Sequence, residues 1–160
     1  MKIKNNQIEL DAVDWGILQA LQEDAKQTYT EIGRRLGVAH STVYDHIKKM
    51  ERSHIIKKYR TVIDLEKIGV KNITAFMTVF TDPREAEALA LKLAAFKEVL
   101  EVSTCFSEEM TIIAKVVVHD QEALQSFIAQ TVAPLPGVLR IRTSIVTKNY
   151  KEEEMLLRNK

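Results

Sequence analysis

Residues 30–52 read TEIGRRLGVAHSTVYDHIKKMER, and the fold turns on how this stretch is interpreted. Ile32 and Leu36 stand one turn apart and point inward from a short helix. Gly33 gives a surface without a side chain where two helices touch, and Gly37 suits the left-handed backbone that ends the first of them. Val43, Ile47 and Met50 then recur at i, i+4 and i+7, which makes an inward stripe on a second helix. Placing residues about 100° apart around that helix puts Ser41, Thr42, Asp45, Lys48, Lys49 and Arg52 on the opposite face. A recognition helix that enters a DNA groove needs such a polar, basic face. The same spacing also fits a surface hairpin of helices with a solvated charged side, so the neighbouring segments must decide.

Charge is the first neighbour to speak. The chain as a whole carries only +1, yet residues 34–60 hold eight Lys or Arg (34, 35, 48, 49, 52, 57, 58, 60) against Asp45 and Glu51. Basic charge gathered around a helix pair is the footprint of phosphate binding, because neutralised phosphates release counterions. His40, His46 and His54 share this region, with no Cys or carboxylate partner at a metal-ligand spacing. They read as surface or DNA-facing side chains, and no metal is expected.

At 160 residues, the chain suits one ordinary domain or two small ones. A hydrophobic share of 46% and a charged share of 28% are those of a globular protein, and no apolar run approaches a membrane span. The opening MKIKNNQIELD lacks the apolar core of a signal peptide, so the expected location is the cytoplasm. The single cysteine, Cys105, lies in the alternating stretch VLEVSTCF without a basic neighbour; it reads as a buried, inert thiol, with a thiol sensor as the alternative.

Upstream, LDAVDWGILQALQED reads as a supporting helix, with Val13, Ile17, Leu18 and Leu21 at helical spacing and Asp11 and Asp14 at its N-terminal end. Trp15 is assigned to packing or surface. Downstream, Ile55, Ile56, Tyr59, Val62 and Ile63 favour an extended segment, and Gly69 marks a boundary, so a linker is placed at 56–71.

The second half repeats a strand–helix–strand unit. ITAFMTVFT, DPREAEALALKLAAF and VLEVSTCF form the first copy, with Asp82 as N-cap, Pro83 at the first helical position and Glu85 at the third. MTIIAKVVV, DQEALQSFIAQTV and VLRIRTSIVTK form the second; Asp120 caps its helix, Leu124, Phe127 and Ile128 face inward, and Pro134, Pro136 and Gly137 end it. Two copies give a ferredoxin-like βαββαβ unit, with both helices on one face of a four-stranded antiparallel sheet. Alternation sends Ile73, Ala75, Met77 and Val79 to one side of the first strand and Thr74, Phe76, Thr78 and Phe80 to the other. A second face carrying two phenylalanines is expected to be buried in a homodimer.

The order of these units and several local matches resemble the leucine-responsive regulatory protein (Lrp/AsnC) family over nearly the whole length. The matching residues are Leu10 and Asp11, ILQALQEDAK from Ile17, YTEIGRRLGV from Tyr29, STV from Ser41, IIKKY from Ile55, LEKIG from Leu65 and PGVLRIRT from Pro136. The resemblance implies an α+β chain in which a helix-turn-helix, winged-helix-like DNA-binding domain (1–55) and a hinge (56–71) precede a βαββαβ domain for oligomerisation and effector sensing (72–160). It implies a transcription regulator acting on double-stranded DNA. Its dimers would build larger assemblies such as an octamer, and an amino acid would be the effector; no other cofactor is expected.

Early side chains of a recognition helix reach base edges and later basic ones hold phosphates. Ser41, Thr42, Tyr44 and Asp45 are the base candidates, and Arg34, Arg35, Lys48, Lys49, Arg52, Lys57, Lys58 and Arg60 the backbone candidates. Asp45 either accepts from a cytosine amino group or pairs with Lys48 or Lys49 in solvent. Relatives commonly carry a basic residue there, Ser in place of Ala39, Arg in place of His46 and Gly in place of His54. The resemblance places the effector at the loop Ser107, Glu108, Glu109, Met110 and Thr111, with Thr143 nearby. Relatives have a glycine in that loop that this chain lacks, so the acid pair either favours a cationic ligand, opposes a carboxylate or solvates a turn. Effector-independent DNA wrapping in the nucleoid is the alternative function. An enzyme is disfavoured, since the sequence offers no nucleophile with a base, no phosphate loop and no metal cluster.

Overall fold

The computed structural model describes residues 3, 4, 7–65 and 67–151, with side chains from Glu9 onward. Glu66 and residues 152–160, the end of the sequence-assigned C-terminal domain, lie outside the described residues. The chain forms two compact units that divide between Val62 and Ile63.

The first unit opens with a short antiparallel pair, β1 (Ile3–Lys4) and β2 (Gln7–Ile8), followed by α1 (Ala12–Glu23), α2 (Tyr29–Leu36) and α3 (His40–Arg52). Two reciprocal caps start the first two helices. Asp11 accepts from the Val13 and Asp14 amides at 2.9 Å while Asp14 accepts from the Asp11 amide at 3.1 Å. Glu31 accepts from the Thr28 amide at 2.7 Å and donates its own amide to the Thr28 hydroxyl at 3.2 Å. Each box satisfies donors that a helix end otherwise leaves orphaned.

Gly37, at φ 70°, ends α2, as the sequence suggests. Gly33 has a narrower job than separating two helices: a Cβ there would stand 2.7 Å from the Val38 carbonyl oxygen, so the turn itself closes onto the glycine. The inward stripe is as read, with Val43, Ile47 and Met50 fully buried against Ile17, Ala20 and Ile32. Helix α3 has Ala39 as an N-cap that makes no side-chain bond and Ser53 as its C-cap, and His54, the residue after it, adopts φ 56°. There the Ile55 amide donates to the Met50 carbonyl at 2.9 Å and the His54 amide to the Glu51 carbonyl at 3.1 Å, a Schellman closure on a residue other than glycine. Residues 57–64 join no strand, so the extended segment expected there is irregular.

The second unit contains β3 (Ile73–Thr81), α4 (Ala86–Ala94), β4 (Val99–Phe106), β5 (Met110–Val118), α5 (Gln121–Ser126, wound as a π-helix over Phe127–Val132) and β6 (Val138–Ile145). The sheet is wholly antiparallel, in the order β4-β5-β3-β6, which is the ferredoxin-like topology. Ala75, Met77 and Val79 of β3 and Ile112, Ala114 and Val116 of β5 are buried beneath Leu89, Leu93, Leu124 and Phe127. The other face carries Phe76, 46% exposed, and Ile113, 38% exposed.

Two local readings are corrected. Asp82 does not cap α4: its carboxylate accepts from the Arg84 amide at 2.9 Å and is gripped by the Arg84 guanidinium at 3.0 Å, so the helix starts at Ala86. Asp120 does cap α5, accepting from the Ala123 amide at 2.8 Å, but the helix then widens. In an α-helix, residues five apart diverge by about 140°, whereas the wider π turn brings them much closer to one face. Phe127 and Val132 are both buried in this way.

Candidate nucleic-acid interface and effector site

The outer face of α3 is open. Ser41, Asp45 and Arg52 are exposed, Thr42, Lys48 and Lys49 are half-buried, and Tyr44 is exposed at the margin with its ring edge-on to Tyr29, centroids 5.8 Å apart. Asp45 pairs with neither lysine suggested for it. Lys48 instead donates to Glu51 at 2.7 Å and lies 5.8 Å from the centre of the Tyr44 ring. Glu51 also accepts from the Tyr59 hydroxyl at 3.0 Å. Hydrogen bonds from Lys48 and Tyr59 hold the Glu51 carboxyl below its ordinary range, and Lys48 is raised in return. Burial, helped by Glu51, pushes the Tyr59 phenol up to about 12.

The basic candidates therefore divide. Arg34, Arg52, Lys57, Lys58 and Arg60 are exposed, although Arg52 also donates to the Lys48 carbonyl at 3.1 Å. Arg35 is exposed but bound by two guanidinium nitrogens to Glu23, one at 2.9 Å, which raises the arginine and lowers the acid. Lys49 lies 3.9 Å from Asp14.

His46 is misassigned by the sequence reading as a surface or DNA-facing side chain. Its Nδ1 lies 2.7 Å from the buried Asp14 carboxylate and 3.9 Å from Asp11. The three side chains bring ligand atoms within 4.8 Å of one another. Asp11 Oδ1 and both Asp14 oxygens, however, are already engaged by helix amides and the imidazole, so the group works as a cap and a tether. Thirty-two residues separate the partners, and no local pattern announces them.

In the second unit, Ser107, Glu108 and Glu109 form the exposed tip between β4 and β5, and Met110 and Thr111 open β5 half-buried. Glu109 accepts from Arg140 at 3.3 Å, and the Arg140 guanidinium lies 3.7 Å from the centre of the Phe80 ring. Neither Phe80 nor Arg140 was picked out from sequence; the RIRT run offered the cation, but only the β3–β6 register places it beside Phe80. Thr143 is not brought to the loop. It pairs with Met77 on the helix-covered side of the sheet, whereas Thr111 pairs with Phe80 on the other. Cys105 is half-buried.

Comparison with known proteins gives this geometry a lineage. Residues 74–156 match the Lrp/AsnC ligand-binding domain, and residues 10–57 match a winged helix-turn-helix DNA-binding domain. The chain belongs to the Lrp/AsnC family. An uncharacterized HTH-type transcriptional regulator of Pyrococcus horikoshii is 34% identical over 147 residues, 92% of each chain. The HTH-type transcriptional regulator FL11 of the same organism is 32% identical, covering 91% of this chain and 94% of its own. Among solved structures, Escherichia coli AsnC superposes with a TM-score of 0.80 at 23% identity, over 94% of this chain and all of that one, which speaks to the fold. A Neisseria meningitidis transcriptional regulator, solved as an L-Met complex, reaches 0.76 at 25% identity over 94% and 97% of the two chains.

As a member of the Lrp/AsnC family, this chain is a DNA-binding transcriptional regulator with a ligand-binding domain, not an enzyme. No helix among the described residues is long and apolar enough to cross a membrane.

Proposed function

We propose that the chain is a sequence-specific regulator, resident in the cytoplasm, that lays α3 in the major groove of double-stranded DNA and changes its affinity when an amino acid binds between C-terminal domains. The observation that carries the DNA half is the sorting of α3: one face is sealed in the core and the other presents Ser41, Asp45 and Arg52 to solvent. On this reading Ser41, Thr42, Tyr44 and Asp45 read bases. Arg34, Arg52, Lys57, Lys58 and Arg60 meet phosphates, as do Arg35, Lys48 and Lys49, the last three by exchanging a carboxylate for a phosphate. The half-covered sheet face around Phe76 and Ile113 supports a homodimer, and dimers assemble further into a ring such as an octamer.

Support for the amino-acid half comes from the ligand-binding-domain match and from the relative solved with L-Met. Its site is built from Ser107, Glu108, Glu109, Met110 and Thr111, with Thr143 supplied from elsewhere in the assembly because the single chain holds it on the other face. One observation favours the second reading, an effector-independent DNA-wrapping protein of the nucleoid: the loop has no glycine, and Glu109 is already occupied by Arg140. A thermal-shift screen against the twenty amino acids, with each hit repeated in a DNA titration, separates the two. A ligand that binds the folded state raises its stability. A hit that also shifts DNA affinity supports sensing, whereas no hit with DNA binding intact supports wrapping.

A further inference from the structure

Asp14 is the only ionisable residue among the described residues that is fully buried, and it sits on the helix that supports the recognition helix. One of its oxygens accepts from the Asp11 amide at 3.1 Å; the other accepts from His46 Nδ1 at 2.7 Å. His46 belongs to α3 and keeps a fifth of its side chain in solvent. The remaining charged groups at this junction are Asp11 on α1, 3.9 Å from the ring, and Lys49 on α3, 3.9 Å from Asp14. The buried apolar part of the α1–α3 contact is Ile17, Ala20, Val43, Ile47 and Met50. Apolar packing is non-directional, so a helix held by it alone can rotate or slide slightly. The Asp14–His46 bond adds a directional element at a fully buried carboxylate, and it holds the turn of α3 that carries Thr42 and Asp45 outward.

We propose that His46 is a positioning residue for DNA recognition, and that its bond to Asp14 makes sequence-specific DNA affinity dependent on pH. The inference rests on α3 being the recognition helix. With the ring protonated, a cation meets the buried carboxylate. With the ring neutral, an ordinary N–H donates to it and the anion keeps only Lys49 as a counter-charge. The ionised carboxylate already strengthens the bond from a neutral ring, and a protonated ring adds a full charge–charge attraction to it, so α3 is held more firmly with the ring protonated, which for imidazoles in general means the acid end of about pH 5 to 8.

The test uses the full-length protein and the tightest-binding duplex that the wild type selects from a random-sequence library, titrated across that range at fixed ionic strength, with a scrambled duplex alongside. Protonation of exposed histidines also strengthens binding to any DNA, so the readout is the ratio of selected to scrambled affinity. The expected result is a ratio that falls from the acid to the alkaline end. In His46→Gln, which keeps a neutral donor, it should be low and flat; in His46→Arg, which keeps a permanent cation, high and flat. The double variant His40→Gln, His54→Gln should retain the wild-type profile. A His46→Gln ratio that follows the wild-type profile overturns the proposal, as does a wild-type ratio independent of pH. A library that yields no preferred duplex would instead refute α3 as a sequence reader, a failure distinct from that of the tether.

Discussion

Replacing Lys58 by Gln should flatten the salt dependence of DNA binding, and replacing Arg35 by Gln should flatten it less. Lys58 is exposed just beyond the recognition helix, whereas Arg35 already holds Glu23 with two guanidinium nitrogens. Each phosphate neutralised contributes about 0.9 to the slope of log affinity against log salt. In a two-fold dimer one substitution removes two contacts, so Lys58→Gln lowers the slope by about 1.8. Over a fourfold rise in salt the wild type then loses about tenfold more affinity than the variant. Arg35 must leave its acid before it can serve a phosphate, so Arg35→Gln costs a fraction of that slope. Glu23→Gln, which frees Arg35, should steepen it. Fluorescence anisotropy on one duplex at four or more salt concentrations gives all the slopes. Equal flattening by Lys58→Gln and Arg35→Gln, or a Lys58→Gln variant with lower affinity and an unchanged slope, would refute the contrast drawn between Lys58 and the acid-bound Arg35.

Ala39→Ser should stabilise the first unit by about 1 kcal/mol, because the N-cap backbone is already extended at φ −66° and ψ 149° and lacks only the oxygen; thermal unfolding measures it, and no gain would mean the α3 amides are satisfied otherwise. His54→Gly relieves a left-handed residue worth about 1–2 kcal/mol but returns chain entropy to the unfolded state, so a net gain of about 0.5 kcal/mol is expected in the same assay. The Tyr59 phenol, pushed up to about 12, favours the folded state fully below its ordinary value near 10, and that contribution is lost as pH rises through about 12. A spectrophotometric titration of wild type against Tyr59→Phe should show the missing phenol ionising last, and ionisation near 10 would break the Tyr59–Glu51 link.

What the sequence made legible was local and periodic. The Val43, Ile47 and Met50 stripe, the carboxylates at the start of α1, the Asp120 cap, the Gly37 stop and the two faces of β3 each depend on residues within about two helical turns or one strand, where spacing alone sets geometry. The misses share a different cause. Glu23 with Arg35, Asp14 with His46, and Glu109 with Arg140 lie 12, 32 and 31 residues apart, so only tertiary packing introduces them. Asp82 misled because two partners competed for one carboxylate, and the neighbouring Arg84 took it before the helix amides could. The π turn escaped notice because Phe127 and Val132 satisfy the core only when five residues, not four, span the turn.

Those long-range pairs also change what the basic segment means. Counted along the chain it carries +6 between residues 34 and 60, as though each cation were equally ready for a phosphate. Folding places carboxylates beside several of them, among these Glu23 at Arg35, Glu51 at Lys48 and Asp14 near Lys49. An exposed ion pair contributes roughly 0–1 kcal/mol, little enough for a phosphate to displace the acid at Arg35 or Lys48. Lys49 differs, since its carboxylate is buried and also holds His46. Drawing Lys49 onto DNA would leave Asp14 more dependent on the imidazole and would tighten the tether just as the helix engages. The strongest coupling between Lys49→Gln and His46→Gln in a double-mutant cycle of DNA affinity is therefore expected at the acid end of the range, where the two substitutions together strip the buried carboxylate of both its cations; at the alkaline end His46→Gln replaces one neutral donor by another and the coupling should fade.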